Sequence, residues 1–528
     1  MHLLRSPSHL TAPVISPQYW LLGLIVFQLL VWTCVPLISG YPPGLDVVEM
    51  HAWSLAPQWG YYKHPPLPAW IFAGSEWLLG KTQLALVLPS AASIALTYWA
   101  IARLGKKILA PKLLIIALLL SATSLFYQLW AVNFNHNVAQ IPAWAWSLTL
   151  FYEAITYQRI RDWFALGAMF GLALLAKYTA ILIIPCAILF ILSTQSCRAR
   201  LQLRPIWFGV LAGILVFGPH LIWLARHHFG PLHYVSERLG QEASKSSWAI
   251  HFASFIGMVL LAHIVTITCA AWAARRGLSQ KLGEHTPAPR THDHCASAHS
   301  GKLTNNVQHA DAHTYHSRFL FIMGLGPLCL ALLIGLTGET LEPMWSSAML
   351  PLLAPLLVYQ LASRANVFFH RRWLYAWVFF QLLVAAAFLI KGSAIYYTIS
   401  HKSARAIYPA QALATQVVQG WQAHVPHQAL RIVAGPIWEA GVISFYAPST
   451  PHVLTEGDFA TAPWITPAQV TACGMVLLQP TPEILARFPG AQQQSKLVLP
   501  AIAPGLPGAE VTWALLPPNG NCDIPPSI

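Results

Sequence analysis

Charge is what this sequence has least of: Asp, Glu, Lys and Arg together make up 9% of 528 residues, against 56% hydrophobic ones. Such a chain cannot coat a water-exposed surface with charge, which excludes an ordinary soluble enzyme and makes lipid the main solvent. Acidic residues are scarcest, 18 against 31 basic ones, giving a formal charge of +13. There is nevertheless no sustained basic patch interleaved with aromatics, so nucleic acid is excluded as a partner; Lys and Arg fall in short clusters between apolar runs. Paired CxxC spacings are absent from the eight cysteines, which removes the usual zinc and disulfide frameworks. Only Cys473 and Cys522 are placed to pair, and that would require an oxidising compartment. No small-residue cleavage site follows the first apolar run, so it reads as a retained anchor.

Apolar runs of roughly 17 to 25 residues are long enough to cross a bilayer. They fall near Tyr19 to Ile38, Leu84 to Ala102, Leu113 to Ala131, Val138 to Ile155, Trp163 to Ala176 and Thr179 to Leu192. Further runs lie near Ile206 to Ala225, Ile250 to Ala274, Phe319 to Leu336, Ser346 to Ala362 and Trp373 to Ile390. The expected architecture is an all-α polytopic bundle of about eleven spans. Arg103, Lys106 and Lys107, Arg159 and Arg161, Arg198 and Arg200, Arg275 and Arg276, and Arg371 and Arg372 all lie on one side, which the positive-inside rule makes cytoplasmic. The N-terminus is then inside. The Asp46 loop and everything after Lys391 face out.

Between Arg275 and Arg318 the chain turns polar and His-rich, a cytoplasmic linker read as disordered. Beyond Lys391 a helical stretch precedes short apolar runs bounded by Pro and Gly, which suit strands. The expected division is a transmembrane part, 1–392, and a small α/β domain outside the membrane, 393–528. Glu456-Gly457-Asp458 in that region reads as a solvated turn.

Chemistry concentrates in the first outer loop, which carries Asp46 and Glu49 and runs on to Trp59-Gly-Tyr-Tyr-Lys63-His64-Pro65-Pro66. Asp46 and Glu49 would share a face if this segment were helical, and a carboxylate there could take a proton from a nucleophile. A solvated loop with Asp46 as a helix N-cap accounts for the spacing equally well. Asn133, Asn135 and His136 crowd the outer end of another span and suit either sugar hydroxyls or helix capping. Lys177 and Tyr178 stand at an outer span end, where an ammonium can meet lipid phosphate or simply snorkel. Arg238, in a loop with several His, could grip phosphate bidentately or belong to an interfacial helix. His220 and His263 lie inside apolar spans and read as satisfied core residues.

The acidic position after the first span followed by WGYYKHPPLPAW resembles the polytopic GT-C glycosyltransferases, in particular protein O-mannosyltransferases and lipid A aminoarabinose transferases. Gly171-Leu-Ala-Leu-Leu-Ala-Lys177-Tyr178-Thr179 is similar to a second motif of that family. The resemblance covers roughly the first 250 residues. It implies transfer of a sugar from a polyprenyl-phosphate donor to a lipid, glycan or protein acceptor, on the outer face of a bacterial inner membrane. Asp46 matches the catalytic acid, with Glu49 in support. Lys63, His64, Lys177, Tyr178, Arg238, Asn133 and His136 are then the candidates for the donor phosphate and sugar. Val47 stands where a second acid often follows the first, and Lys63 where a carboxylate ligand would be, so no metal site is expected. A divalent cation is compatible with the chemistry but not required by it. The rival class is a secondary transporter or lipid flippase, which the spans alone allow; no repeat between halves supports it.

Overall fold

The computed structural model describes residues 17–239, 245–283, 299–362, 371–391, 393, 397–398, 405–502 and 505–524. The first helix, α1 (Pro17–Ser39), is apolar on every side. Leu22, Leu30 and Ile38 are exposed on it, an arrangement that suits hydrocarbon and not water. Then come α2 (Leu45–Ser54), α3 (Leu67–Leu79), α4 (Gln83–Ile108), α5 (Pro111–Ser121), α6 (His136–Tyr157), α7 (Ile160–Ala176), α8 (Ile183–Ser193) and α9 (Gln195–Arg200). The helical part continues with α10 (Leu203–Arg226), α11 (Gly230–Leu239), α12 (Lys245–Ala262), α13 (Ile264–Gly283), α14 (His299–Leu336), α15 (Leu353–Ala362) and α16 (Arg371–Lys391).

Among the described residues, five helices are long and apolar enough to cross a membrane: Pro17–Ser39, Gln83–Ile108, Leu203–Arg226, Ala312–Leu336 and Leu374–Lys391. The α12–α13 pair makes a sixth if counted as one span bent by 65°. The chain is a multi-pass membrane protein. Helices α6 and α7 cover two further expected spans, whereas four expected spans are interrupted; Thr179 to Leu192 starts in a 3-10 turn, Tyr178–Leu182, before α8. The run from Leu113 stops being α-helical at Ser121 and goes on as a 3-10 turn, Leu125–Tyr127. The Ala122 carbonyl released there accepts from both Gln128 Nε2 and Gln381 Nε2, as a backbone group shielded from water requires. Ile250 to Ala274 breaks at His263. Ser346 to Ala362 divides into a 3-10 turn, Pro343–Ala348, and α15, with Pro351 disfavouring helix in the residue before it.

Two contacts set the bundle. Helices α7 and α10 meet through Gly167 and Gly209, so closely that a Cβ on Gly167 would lie 1.8 Å from the Gly209 carbonyl oxygen; small residues four apart on both helices permit this. Helices α4 and α6 are joined by Arg103, whose Nε and Nη2 donate to the two Glu153 carboxylate oxygens at 2.8 and 2.7 Å.

The His-rich linker is partly helical: α14 begins at His299, while His285, His292 and His294 lie outside the described residues. Towards the C-terminus, α17 (Ala410–His424), α18 (Ile437–Tyr446), α19 (Pro467–Cys473) and α20 (Pro482–Arg487) surround a five-stranded sheet of order β2-β1-β3-β7-β4. Its strands are β1 (Ile432–Gly435), β2 (His452–Thr455), β3 (Met475–Leu478), β4 (Gln492–Gln493) and β7 (Trp513–Leu516). The β1–β2 and β1–β3 pairs are parallel, the others antiparallel; β5 (Leu497–Leu499) and β6 (Ala509–Val511) form a separate ladder. Glu456 and Gly457 occupy a positive-φ turn after β2. Cys473 and Cys522 form a disulfide across a separation of 49 residues. Replacing both with Ser is expected to lower the stability of this region by about 2–4 kcal/mol, read as earlier melting of its tryptophan fluorescence.

The sheet region and the helical bundle share α2. Val47, Met50 and Trp53 belong to the bundle core, whereas Val48 and Ala52 pack with Leu413, Val417 and Ile443 in the core beside the sheet. Trp438 Nε1 donates to the Pro43 carbonyl at 2.9 Å. His51, buried between the two parts, contacts Glu76 Oε1 through Nδ1 at 2.6 Å and Ser444 Oγ through Nε2 at 3.2 Å.

Candidate functional site

Residues 45–54 are helical, so Asp46 and Glu49 do share a face. Asp46 is not the N-cap; Gly44 is. Capping falls instead to Asn135 at the start of α6, whose Oδ1 accepts from Asn137 N at 2.9 Å and Val138 N at 3.1 Å. The Nδ2 of the same side chain donates to Asp46 Oδ2 at 2.8 Å. One amide therefore closes a helix and fixes the carboxylate through a single oxygen.

Glu49, one turn on, is buried and holds Lys63 Nζ at 2.7 Å, with Tyr62 donating to the same carboxylate at 3.4 Å. Burial alone would lower the Lys63 ammonium, but the adjacent Glu49 outweighs it and keeps Lys63 charged. The charge of Lys63 is thus already balanced, and Glu49 serves as its counter-ion rather than as a second free acid. His64 stacks on His136 with ring centroids 3.7 Å apart. Desolvation, then the ammoniums of Lys63 and Lys177, holds His64 well below the usual imidazole range. Desolvation, then His64 and the two lysines, does the same to His136. Both rings are neutral at pH 7 and offer hydrogen bonds rather than charge. His136 Nδ1 is buried with no hydrogen-bond partner among the described residues, an orphan that a ligand oxygen would satisfy.

Lys177 breaks α7 with an extended backbone. Its Nζ donates to Asn137 Oδ1 and stands 5.0 Å from the Trp345 ring centroid. Burial pulls this ammonium down to about 7, opposed by Asp46 and Glu342. Asp46, Glu49, Lys63, His64, His136 and Lys177 consequently form one electrostatic neighbourhood, drawn from α2, the loop before α3, the start of α6 and the turn after α7. Tyr178 is engaged elsewhere, its hydroxyl 2.9 Å from His220 Nε2 while His220 Nδ1 meets the Trp59 carbonyl at 2.5 Å. His220 is satisfied as expected. His263 is not, since its buried Nε2 lacks a hydrogen-bond partner among the described residues. Arg238 lies on α11, its side chain outside the described residues, and Tyr234 of that helix approaches His64 with ring centroids 6.3 Å apart.

Asp46 also lines a cavity of about 520 Å³, together with Gln83, Asn133, Phe388, Lys391 and Arg405. Lys391 and Arg405 were not among the residues singled out from sequence; a lysine closing an apolar helix carries the same signal as any snorkelling residue. Among the described residues no group of three or more His, Cys, Asp or Glu is gathered to hold a metal ion.

With this geometry in place, comparison with known proteins is specific. Residues 63–223 match the family model described as dolichyl-phosphate-mannose-protein mannosyltransferase. No curated protein matches the chain in sequence. Among solved structures the chain is similar to ArnT from Cupriavidus metallidurans bound to undecaprenyl phosphate, with TM-score 0.57 and 14% identity over 94% of this chain and 98% of that one. The apo state of that protein matches with TM-score 0.54 and 12% identity, over 94% and 98%. The Archaeoglobus fulgidus oligosaccharyltransferase in the apo form follows with TM-score 0.41 and 13% identity, over 81% of this chain and 64% of that one. The GT-C fold implied by the sequence resemblance is the fold of this chain.

Proposed function

We propose that this protein is a membrane glycosyltransferase that moves a sugar from a polyprenyl-phosphate donor to a lipid, glycan or protein acceptor. The observation that carries the reading is Asp46, a carboxylate fixed through one oxygen by Asn135 and coupled both to the Lys177 ammonium and to the Glu49–Lys63 pair. Lys63, His64, His136 and the second motif ending in Lys177-Tyr178-Thr179 lie within the matched segment 63–223, which begins after Asp46 and Glu49, and ArnT from Cupriavidus metallidurans, which shares the fold, binds undecaprenyl phosphate.

In this reading an acceptor hydroxyl attacks the anomeric carbon. The new glycosidic C–O bond forms as the bond from that carbon to the donor phosphate oxygen breaks, the proton passes to Asp46, and polyprenyl phosphate leaves with the bonding pair. Lys177 and Lys63 stabilise the charge gathering on the leaving phosphate, and the neutral His64–His136 pair offers hydrogen bonds. Glu49 keeps Lys63 charged. Asn133 faces the sugar or acceptor, Arg238 is assigned to the donor phosphate as the sequence resemblance implies, and Tyr178 positions the loop through His220. The reaction takes place on the outer face of a bacterial inner membrane, where residues 393–528 form an extracytoplasmic α/β domain and 1–392 the transmembrane part.

Membranes containing the chain, supplied with radiolabelled polyprenyl-phosphate sugars, are expected to form a labelled product. No labelled product across several sugars would overturn the reading. The Lys177 ammonium predicts a pH dependence. Below about pH 7 it is already protonated and phosphate binding needs no proton; above that, binding must draw one in, so affinity falls by up to about tenfold per pH unit. Undecaprenyl phosphate titrated between about pH 6 and about pH 9 is expected to show this slope in wild type, and Lys177→Gln to flatten it.

A further inference from the structure

The sheet region reaches the candidate site with the ends of its parallel strands. In sheets of this kind the loops leaving the carboxyl ends carry the working residues. After β1 the chain starts α18, where Trp438 Nε1 donates to the Pro43 carbonyl at 2.9 Å, just ahead of Asp46. After β2 it enters the loop 456–466, and Trp464 of that loop meets the ring of Tyr61, with centroids 5.9 Å apart and planes at 89°. Tyr61 stands just ahead of Lys63. Trp464 packs against both the bundle core and the sheet core, and the donor chemistry described above makes no use of it.

The loop that carries Trp464 is held from the sheet side. Ala462 and Ile465 are buried in the sheet core, Arg487 Nη1 donates to the Gly457 carbonyl at 2.7 Å, and Thr466 caps α19 in a capping box with Gln469. On the bundle side Trp464 closes a stack. Tyr61 lies flat against Trp53 of α2, with centroids 4.5 Å apart and planes within 4°. Its hydroxyl donates to the Trp53 carbonyl at 3.0 Å, and its backbone N–H donates to the His64 carbonyl at 3.0 Å. Trp53 also contacts the rings of Tyr62 and His64, whose centroids are 6.0 and 6.2 Å away. Tyr61 therefore closes the turn that presents Lys63 and His64, with α2 behind it and the sheet region beside it.

The Trp464 indole nitrogen, Nε1, is buried with no hydrogen-bond partner among the described residues, an arrangement that costs free energy. The side chain is thus placed for its ring, and perpendicular rings attract because a positive edge meets a negative face. We propose that Trp464 is a positioning residue of the donor site: it clamps Tyr61 against Trp53 and so holds Lys63 and His64 in register with the donor phosphate. The proposal rests on the transferase reading above. The sheet region then sets donor affinity without touching the donor. Loosening the clamp weakens phosphate binding before and during bond breaking alike, which raises KM and spares kcat.

The test uses the full chain in nanodiscs, with undecaprenyl phosphate as the binding probe and a labelled undecaprenyl-phosphate sugar, with a lipid extract as acceptor source, for transfer. Trp464→Ala is expected to weaken undecaprenyl-phosphate binding about tenfold and to raise the donor KM by a similar factor, with kcat within about threefold of wild type. Trp464→Leu keeps apolar volume for both cores but has no ring. It is expected to behave as Trp464→Ala does, and it decides the matter if Trp464→Ala does not fold. Trp464→Phe keeps a ring and loses the orphan N–H, so it is expected within about twofold of wild type. The control Val498→Ala, at an exposed position on β5, is expected to match wild type. Binding and KM in Trp464→Leu equal to wild type overturn the clamp. So does a fall in kcat at unchanged KM, which is what a smaller folded fraction produces, and so does Trp464→Phe binding as weakly as Trp464→Leu. Wild-type transfer with binding indifferent to Trp464 leaves the transferase standing without the clamp. Absence of wild-type transfer, with undecaprenyl-phosphate binding that still depends on Trp464, overturns the transferase reading and leaves the clamp on the phosphate site.

Discussion

Asp46→Asn is expected to lower sugar transfer by about 10²–10⁴-fold, the range general-base catalysis usually contributes. The substitution is nearly isosteric. An Asn at this position still offers an oxygen to Asn135 Nδ2, so the bond now 2.8 Å long can persist and α2 need not move. What disappears is the charge, and with it both the acceptor for the nucleophile's proton and one of the two carboxylates that raise the Lys177 ammonium. A second effect follows from that coupling. Without Asp46 the Lys177 protonation step shifts below about 7, so the decline of donor affinity with pH begins at lower pH than in wild type. Loss of turnover with an unchanged melting temperature, together with this displaced pH profile, identifies a chemical rather than a structural defect. Transfer within a few-fold of wild type would remove Asp46 from the role of base.

Gly441→Leu is expected to cost about 100-fold in transfer although residue 441 lies on α18, outside the site. A Cβ there would sit 2.6 Å from Val48 Cβ, and Val48 lies on α2 two residues after Asp46. Neither helix can yield freely, because α2 is packed between two cores and pinned by His51 to Glu76 and Ser444. Overpacking of this kind costs about 1–3 kcal/mol, and a displacement of about 1 Å of a catalytic group is enough for the stated loss. Val48→Gly removes the opposing Cβ, so adding it to a Gly441→Ala variant should restore much of the activity. The initial rates of the single and double variants check this. If Gly441→Leu transfers at the wild-type rate, the sheet region does not position Asp46.

The same contacts explain which features could be read from sequence. Apolar runs such as that of α1 and the final α16 declare themselves by length, because hydrocarbon tolerates no other composition over that distance. The breaks inside other runs are less visible. Ser121, Thr123, Ser124 and Gln128 interrupt the apolar run from Leu113, but the part Gln128 plays at the break depends on Gln381, more than two hundred residues away, sharing the Ala122 carbonyl. At the site, Asp46, Lys63, His64 and Lys177 stood out because they interrupt apolar or aromatic surroundings, and the fold gathers them into one neighbourhood. Asn135 serving as cap and carboxylate anchor at once was only half legible, since its second partner comes from a different helix. Lys391 and Arg405 were not legible at all. Each is an unremarkable cation in its own segment, and only the meeting of α1, α2 and α16 brings them to the Asp46 cavity.

The most direct test of the central claim is chemical balance in proteoliposomes holding only the purified chain, a labelled undecaprenyl-phosphate sugar and a lipid extract as acceptor source. A glycosyltransferase releases one undecaprenyl phosphate for each sugar joined to acceptor, and Asp46→Asn abolishes both together. Donor that crosses the bilayer intact, with its sugar–phosphate bond uncleaved and the crossing indifferent to Asp46→Asn, would contradict the account and identify a transporter.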